Sequence, residues 1–212
     1  MEDLLKMLAD AVLAGEKPVA ERIVRQAIEA GIQPEKILKE GLTRAMDEVG
    51  RRFECGEAFI PEMLIAAKSM QAALAILKPY LVDTGVQPSG KVVIGTVKGD
   101  LHDIGKNLVG MMLEGAGFQI VDLGTDVSPE KFIEAIREHA PDIVGMSALL
   151  TTTMPNMNKT IQALKDAGVR QNVKVMVGGA PVTQKYAIEI GADGFAPDAN
   201  QATAEARKLI AG

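Results

Sequence analysis

The chain has 212 residues, 47% of them apolar and 24% charged, with a formal net charge of −5 at pH 7. That is enough apolar material for one large or two small domains, and a single cysteine, Cys55, excludes an intramolecular disulfide. An acidic balance with no basic block, 3% aromatic residues and no tryptophan argue against nucleic acid as a partner.

At the amino terminus no signal pattern or long apolar run precedes the first acidic residues, so a soluble, cytoplasmic protein with no membrane partner is expected. Through residue 80 apolar positions recur at spacings of three and four, which predicts helices over about 3–14, 18–30, 34–52 and 60–78. Pro18, Pro34 and Pro61 fall where a first helical turn tolerates proline, and Gly15, Gly31 and Gly56 fall between helices. The expectation for residues 1–82 is a four-helix bundle. Residues 83–90, Asp-Thr-Gly-Val-Gln-Pro-Ser-Gly, read as a linker. From residue 91 to 212 short β-rich runs alternate with helical stretches, with strands predicted over 91–97, 118–123, 142–147, 173–177 and 194–196. Such alternation implies an α/β domain, a flavodoxin-like or Rossmann-like five-stranded parallel sheet with helices on both faces. Most of the 11 methionines read as core filling, although flexible thioethers also suit surfaces that repack against several partners.

Ligands of open parallel sheets gather beyond the carboxyl ends of the strands. His102, Ser147 and Gly178 all fall just past predicted strand ends and are expected to converge there. His102 is one of two histidines in the chain and follows Asp100 on a strand-to-helix loop. In that setting an imidazole can present one ring nitrogen to a metal while a carboxylate holds the other. A conventional zinc site is not supported, because His102, His139 and Cys55 are the only soft donors. A cofactor that brings most of its own coordination and asks for one ligand fits better. Gly105 then lets something bulky lie close to the backbone. No Gly-x-Gly-x-x-Gly follows the first strand, which argues against a dinucleotide. Thr151, Thr152 and Thr153 read either as a phosphate-binding loop of a flavin site or as caps for a helix beginning at Pro155.

The run Gly99-Asp100-Leu101-His102-Asp103-Ile104-Gly105 contains the Asp-x-His-x-x-Gly signature of cobalamin-binding domains. The likeness continues through Lys106-Asn107-Leu108-Val109-Gly110, Val121-Asp122-Leu123-Gly124, Ser147-Ala148-Leu149 and Gly178-Gly179. In the helical half it takes in Glu48-Val49-Gly50-Arg51-Arg52-Phe53, Gly56 and Phe59-Ile60-Pro61. With these pieces in order, nearly the whole chain resembles the corrinoid proteins of methylotrophic methyltransferase systems and the cobalamin-binding region of cobalamin-dependent methionine synthase.

The resemblance implies a cobalamin or cobamide cofactor, with His102 as the lower axial ligand of cobalt and methylcobalamin as the loaded state. Asp100 is implied to hold the other imidazole nitrogen, and Thr153 to steady Asp100 where the synthase has serine. The cofactor's nucleotide tail is implied to thread past Ser147, Leu149 and Thr151 and along Gly178-Gly179, with Ala199 near its buried base. Read without the motif, the two glycines are an ordinary strand-to-helix turn. Phe53, Ile60 and Met63 align with residues that cover the corrin's upper face in the synthase, and otherwise read as interhelical packing. Such a cover is expected to swing aside over the linker. Protonation of the His102 and Asp100 pair is expected to accompany loss of the lower bond on reduction of cobalt, so that Asp100→Asn changes the pH dependence of that reduction.

The implied function is that of a methyl carrier: cobalt accepts a methyl group from a donor on one methyltransferase and delivers it to a thiol or folate-type acceptor on another. The expected partners are a substrate-specific methyltransferase, an acceptor-side methyltransferase and a reductive activator. Substrate barrels of about 250 residues each do not fit in this length, so a subunit rather than a complete enzyme is expected. The alternatives are the cobalamin-binding subunit of a radical isomerase, a cobalamin-dependent regulator or sensor, and a flavodoxin-like electron carrier. Isomerase subunits generally lack the helical half, and no basic helix-turn-helix of a regulator is evident.

Overall fold

A computed structural model describes residues 2–211. The chain divides into two units, a helical one (Met1–Pro88 with Glu114–Gly117) and a sheet-containing one (Ser89–Leu113 with Phe118–Gly212).

In the helical unit, α1 (Glu2–Leu13) and α2 (Lys17–Glu29) are regular, and Pro18 occupies the first turn of α2. The third predicted helix is not uniform. It starts as α3 (Pro34–Lys36), widens into a π-helical stretch (Ile37–Thr43) and resumes as α4 (Arg44–Glu54). The Arg44 amide donates to the Lys39 carbonyl, five residues back. This stretch packs on α1, where a side chain at Gly41 would begin 2.6 Å from Leu8 Cδ2. Apolar spacing reports which face is buried and cannot register such a local change of pitch.

α5 (Ile60–Asp83) starts with Pro61 in its first turn, and the Glu62 carboxylate accepts the Phe59 amide at 3.0 Å. It runs five residues past its predicted end, with Pro79 inside the helix, where the absent N–H leaves one i→i−4 bond unmade. At 24 residues and a mean hydropathy of 1.4 it is apolar and long enough to cross a membrane by composition alone. Met63, Ala66, Ala67, Ser69, Met70, Ala73 and Leu77 are buried, and the helix packs on α2 and α4 as the core helix of a bundle does.

The other unit holds a parallel sheet in the order β2-β1-β3-β4-β5, made of β1 (Lys91–Thr96), β2 (Gln119–Asp122), β3 (Ile143–Ser147), β4 (Lys174–Gly178) and β5 (Gly194–Ala196). Five helices connect and follow the strands: α6 (Ile104–Gly115), α7 (Pro129–His139), α8 (Pro155–Asp166), α9 (Gln184–Ile190) and α10 (Ala199–Ala211). The predicted strands are present within a residue or so at each end. Val93, Val144, Val175 and Val177 meet Phe132 of α7 and Ile161 and Leu164 of α8 in one core. Full burial of the Phe132 ring alone contributes about 2–3 kcal/mol. The strand order reverses between β1 and β3, which opens a crevice at their carboxyl ends.

Candidate functional site

The loop between β1 and α6 leaves the sheet at that crevice. Gly99 adopts φ +81°, and the Asp100 amide donates to the Val97 carbonyl at 3.1 Å, closing a tight turn. The Asp100 side chain is fully buried. Its Oδ1 accepts the His102 amide at 3.0 Å and lies 2.8 Å from His102 Nδ1. Its Oδ2 accepts the Leu149 amide at 2.8 Å and the Thr153 hydroxyl at 2.6 Å. Burial opposes the charge on Asp100, but the Thr153 hydroxyl, the backbone amides of His102 and Leu149 and the His102 ring outweigh it and hold the carboxyl well below the usual carboxylate range.

A carboxylate only accepts, so the contact with Asp100 places a proton on His102 Nδ1. In the neutral ring Nε2 then carries the lone pair. The His102 side chain is 51% exposed, which leaves that nitrogen accessible. Thr96 Oγ1 donates to the His102 carbonyl at 2.9 Å and ties the loop back to β1.

Around His102 the surface is unusually apolar. Leu101 and Ile104 are 72% and 75% exposed, and Leu149 and Leu150 are exposed as well. Large apolar side chains clustered at a loop surface mark a binding face. Gly105 leaves open space, since a side chain there would meet nothing within 4 Å. Asp103 opens α6, accepting from Asn107 Nδ2 at 3.0 Å. Next to it the buried Lys106 ammonium is bound by the Asp122 carboxylate, 2.7 Å from Oδ1, and so fastens α6 to the end of β2.

Strand register lines up small residues across the carboxyl edge. Thr96 is opposite Ser147, Ser147 opposite Gly178, and Gly178 opposite Ala196. Gly179 has φ +131°, and a side chain there would start 1.9 Å from the Ala148 carbonyl oxygen; one at Gly178 would start 2.8 Å from that of Ala196. The need for glycine at both positions therefore already arises from the chain's own backbone. Ala199 is buried at the start of α10, just beyond β5.

Thr151 and Thr152 are exposed in the turn before α8, whereas Thr153 is buried against Asp100. None of the three caps α8, whose N-cap is Met154 without a side-chain bond. In the helical unit Phe53 is half-buried, Ile60 is 50% exposed and Met63 is fully buried. Beside Phe53, Glu48 bonds Arg51 at 2.8 Å and Arg52 at 2.9 Å, and these guanidinium groups lower its pKa to about 2. Phe59, part of the local run but not of the expected site, is 65% exposed.

Two further contributors escape motif reading. Asp126, in the connection after β2, bonds Gly99 and Lys98, and Asn156 Nδ2 donates to the Lys98 carbonyl at 2.6 Å. The one sequence signal for Asp126 is the turn-forming Gly124-Thr125-Asp126 just past a strand end, and Asn156 has none.

Among the described residues no three His, Cys, Asp or Glu side chains gather around a common metal position. The site thus offers one exposed imidazole nitrogen. A family model described as the B12 binding domain matches residues 90–206, and a second model of the same description matches residues 4–78. The chain belongs to the B12-binding corrinoid proteins. It is 45% identical over 212 residues to the dimethylamine corrinoid protein of Methanosarcina barkeri, covering 99% of both chains. It is 42% identical to the trimethylamine corrinoid protein of the same organism, covering 99% of this chain and 97% of the relative. Among solved structures, the methanol:cobalamin methyltransferase complex of M. barkeri superposes with a TM-score of 0.87 at 30% identity, covering 99% of this chain and 80% of the matched chain.

The residues of the sheet unit fit a corrinoid. A half-exposed ring nitrogen oriented by a buried anion suits a single axial bond, and the apolar surface at Leu101, Ile104, Leu149 and Leu150 suits a flat macrocycle. The row of small residues from Thr96 to Ala196 leaves little side-chain bulk along the carboxyl edge of the sheet.

Proposed function

We propose that this corrinoid protein carries a methyl group from a methylated amine bound on one methyltransferase to an acceptor on a second. The observation that carries the reading is the His102–Asp100–Thr153 chain, which ends in an accessible Nε2. When bound, the corrinoid supplies the cobalt that takes up and releases the methyl group. The protein's part is to bind, orient and shelter.

In this reading His102 would hold cobalt through Nε2 while Asp100 fixes the ring's orientation and tautomer. Thr153 and the Leu149 amide keep Asp100 in place. Leu101, Ile104 and Leu149 exclude water from beneath the ring, and Gly105 leaves room above the backbone. Ser147, Thr151, Gly178, Gly179 and Ala199 line the path of the nucleotide tail. Phe53 and Ile60, which have exposed surface, would shelter the bound corrinoid, and Met63, assigned to the same cover, is buried within the helical unit. That shelter moves over residues 83–90 when a partner docks.

Relatives named for dimethylamine and trimethylamine, at 45% and 42% identity, support a methylated amine as the donor class. A methyltransferase that binds this amine is the first partner, an acceptor-side methyltransferase the second, and a reductive activator restores oxidised cobalt. A cytoplasmic setting agrees with the free, exposed thiol of Cys55.

Anaerobic reconstitution with a cobamide tests the reading. The wild type should bind one cobamide per chain and show nitrogen coupling to cobalt(II) in its electron paramagnetic resonance spectrum, and His102→Ala should lose that coupling. An unchanged spectrum in His102→Ala would remove the histidine from cobalt. Methyl transfer measured with purified partner methyltransferases and dimethylamine or trimethylamine then separates the donors.

A further inference from the structure

The buried Asp100 cannot place His102 unless the turn that carries it is itself held, and that support comes from outside the signature. The backbone of Gly99 and Asp100 and the side chain of Lys98 are bonded by one residue, 27 positions after Gly99. Asp126 Oδ1 accepts the Gly99 amide at 2.8 Å, its Oδ2 accepts Lys98 Nζ at 2.9 Å, and its own amide donates to the Asp100 carbonyl at 3.0 Å. The next residue continues the attachment, since the Val127 amide donates to the Thr96 carbonyl at 2.9 Å and Val97 pairs with Val127.

The backbone of Asp126 points the same way. Among the described residues only Asp126, at φ +54°, and Ala140, at φ +44°, adopt positive φ without being glycine. Ala140 caps the end of α7, which accounts for its conformation. Asp126 caps no helix. A left-handed aspartate persists where several bonds over-determine it, and here all of them lead to the turn before His102.

We propose that Asp126 is a positioning residue for the cobalt ligand: by clamping residues 98–100 it fixes the Asp100 carboxylate and, through it, the direction of His102 Nε2. The inference rests on His102 as the axial ligand and adds a residue outside the Asp-x-His-x-x-Gly signature. The amide bonds dominate. Lys98 and Asp126 are 56% and 41% exposed, and an ion pair that open contributes little.

Three substitutions separate these contributions. Asp126→Gly keeps the positive φ and the amide bond to Asp100 but deletes the carboxylate. Lys98→Met removes only the ion pair, and Asp126→Asn restores an acceptor for Gly99 while tolerating the left-handed backbone. Asp193→Ala is the control for general destabilisation, since it removes bonds to Val175 and Arg170 at the opposite edge of the sheet.

The first readout is the cobalt(II) electron paramagnetic resonance spectrum of cobamide-loaded protein, which gives the ratio of histidine-ligated to unligated cobalt. Asp126→Gly should lower that ratio roughly 10-fold, the scale set by outer partners of metal-bound histidines. Asp126→Asn should recover most of it, whereas Lys98→Met and Asp193→Ala should leave it near wild type.

The second readout uses apoprotein: exchange of the His102 Nδ1 proton by nuclear magnetic resonance should quicken in Asp126→Gly and stay slow in Asp193→Ala. If the wild type itself shows no nitrogen coupling, the ligation reading fails and this proposal with it. If the wild type shows coupling and Asp126→Gly matches it in both readouts, or Asp193→Ala shifts as far, only the positioning role is overturned. Should Asp126→Gly load too weakly for the first readout, proton exchange in its apoprotein decides the matter.

Discussion

The two edges of the sheet solve one bonding problem in different ways. At the amino edge, Asp142 Oδ2 accepts the Lys91 amide at 2.7 Å, and Lys91 Nζ donates to the His139 carbonyl at 2.7 Å. Asp193 Oδ2 there accepts the Val175 amide at 2.6 Å and Arg170 Nη2 at 2.8 Å. At the carboxyl edge Asp100 likewise gathers amides from separate elements, His102 beside it and Leu149 after β3. The carboxylates do similar work, but their surroundings differ. The Asp193 side chain is 29% exposed and serves ordinary structural donors, whereas Asp100 is fully buried and one of its donors is a half-exposed ring with a second nitrogen. A carboxylate at a sheet edge is thus a staple by default, and it becomes part of a site when one of its donors has bonding capacity left over.

Substitutions at the two edges sharpen that contrast. Gly179→Ala should be the most damaging, because its new methyl group would overlap the Ala148 carbonyl at a φ that side chains avoid. A loss of about 3 kcal/mol or more is expected in urea unfolding, and a loss below about 1 kcal/mol would mean that the β4 edge yields easily.

Asp100→Asn should cost about 2 kcal/mol near neutral pH, the scale of bonds to a buried charge. The sign with pH is fixed, because the folded-state pKa lies below the ordinary value of 3.8. The stabilisation is complete above that value and is lost as pH falls beneath it towards the folded-state pKa. Unfolding curves of wild type and Asp100→Asn should therefore converge on acidification, and a gap that stays constant would show that the charge is not what matters.

Thr153→Val, of nearly the same shape, should cost about 1 kcal/mol by stripping one donor from Asp100, and Thr153→Ser should stay within about 0.5 kcal/mol of wild type. Differential scanning calorimetry of the pair checks this. Asp193→Asn, at the amino edge, should also have a small effect, below about 1 kcal/mol in calorimetry, with the spectrum of bound cobamide unchanged. A shifted spectrum there would erase the distinction between the edges.

Much of this was legible from local pattern. Buried parallel strands such as β1, β3 and β4 leave near-continuous apolar runs, and alternation with helical stretches placed β2 and β5 beside them, while the signature at 100–105 pointed to the loop that carries His102. Thr153 was legible through resemblance alone, because its partner Asp100 is 53 residues away. Asp126, Thr96 and Asn156 were not legible, since each acts through one hydrogen bond or a few to backbone that sequence spacing does not encode. The π-helical turn at Ile37–Thr43 and the passage of α5 through Pro79 were hidden for another reason: apolar periodicity records burial and is blind to helical pitch. Met63 was expected at a binding surface and is fully buried, a distinction that an apolar stripe cannot draw.

The anchoring of His102 Nδ1 by a buried anion bears on how quickly the site can be filled. The 2.8 Å contact with Asp100 already restrains the torsions of that side chain, so on the proposed ligation an incoming bond freezes little further rotation. On the ligation proposed above, encounter with the macrocycle becomes a matter of diffusion and desolvation, without a conformational search by His102.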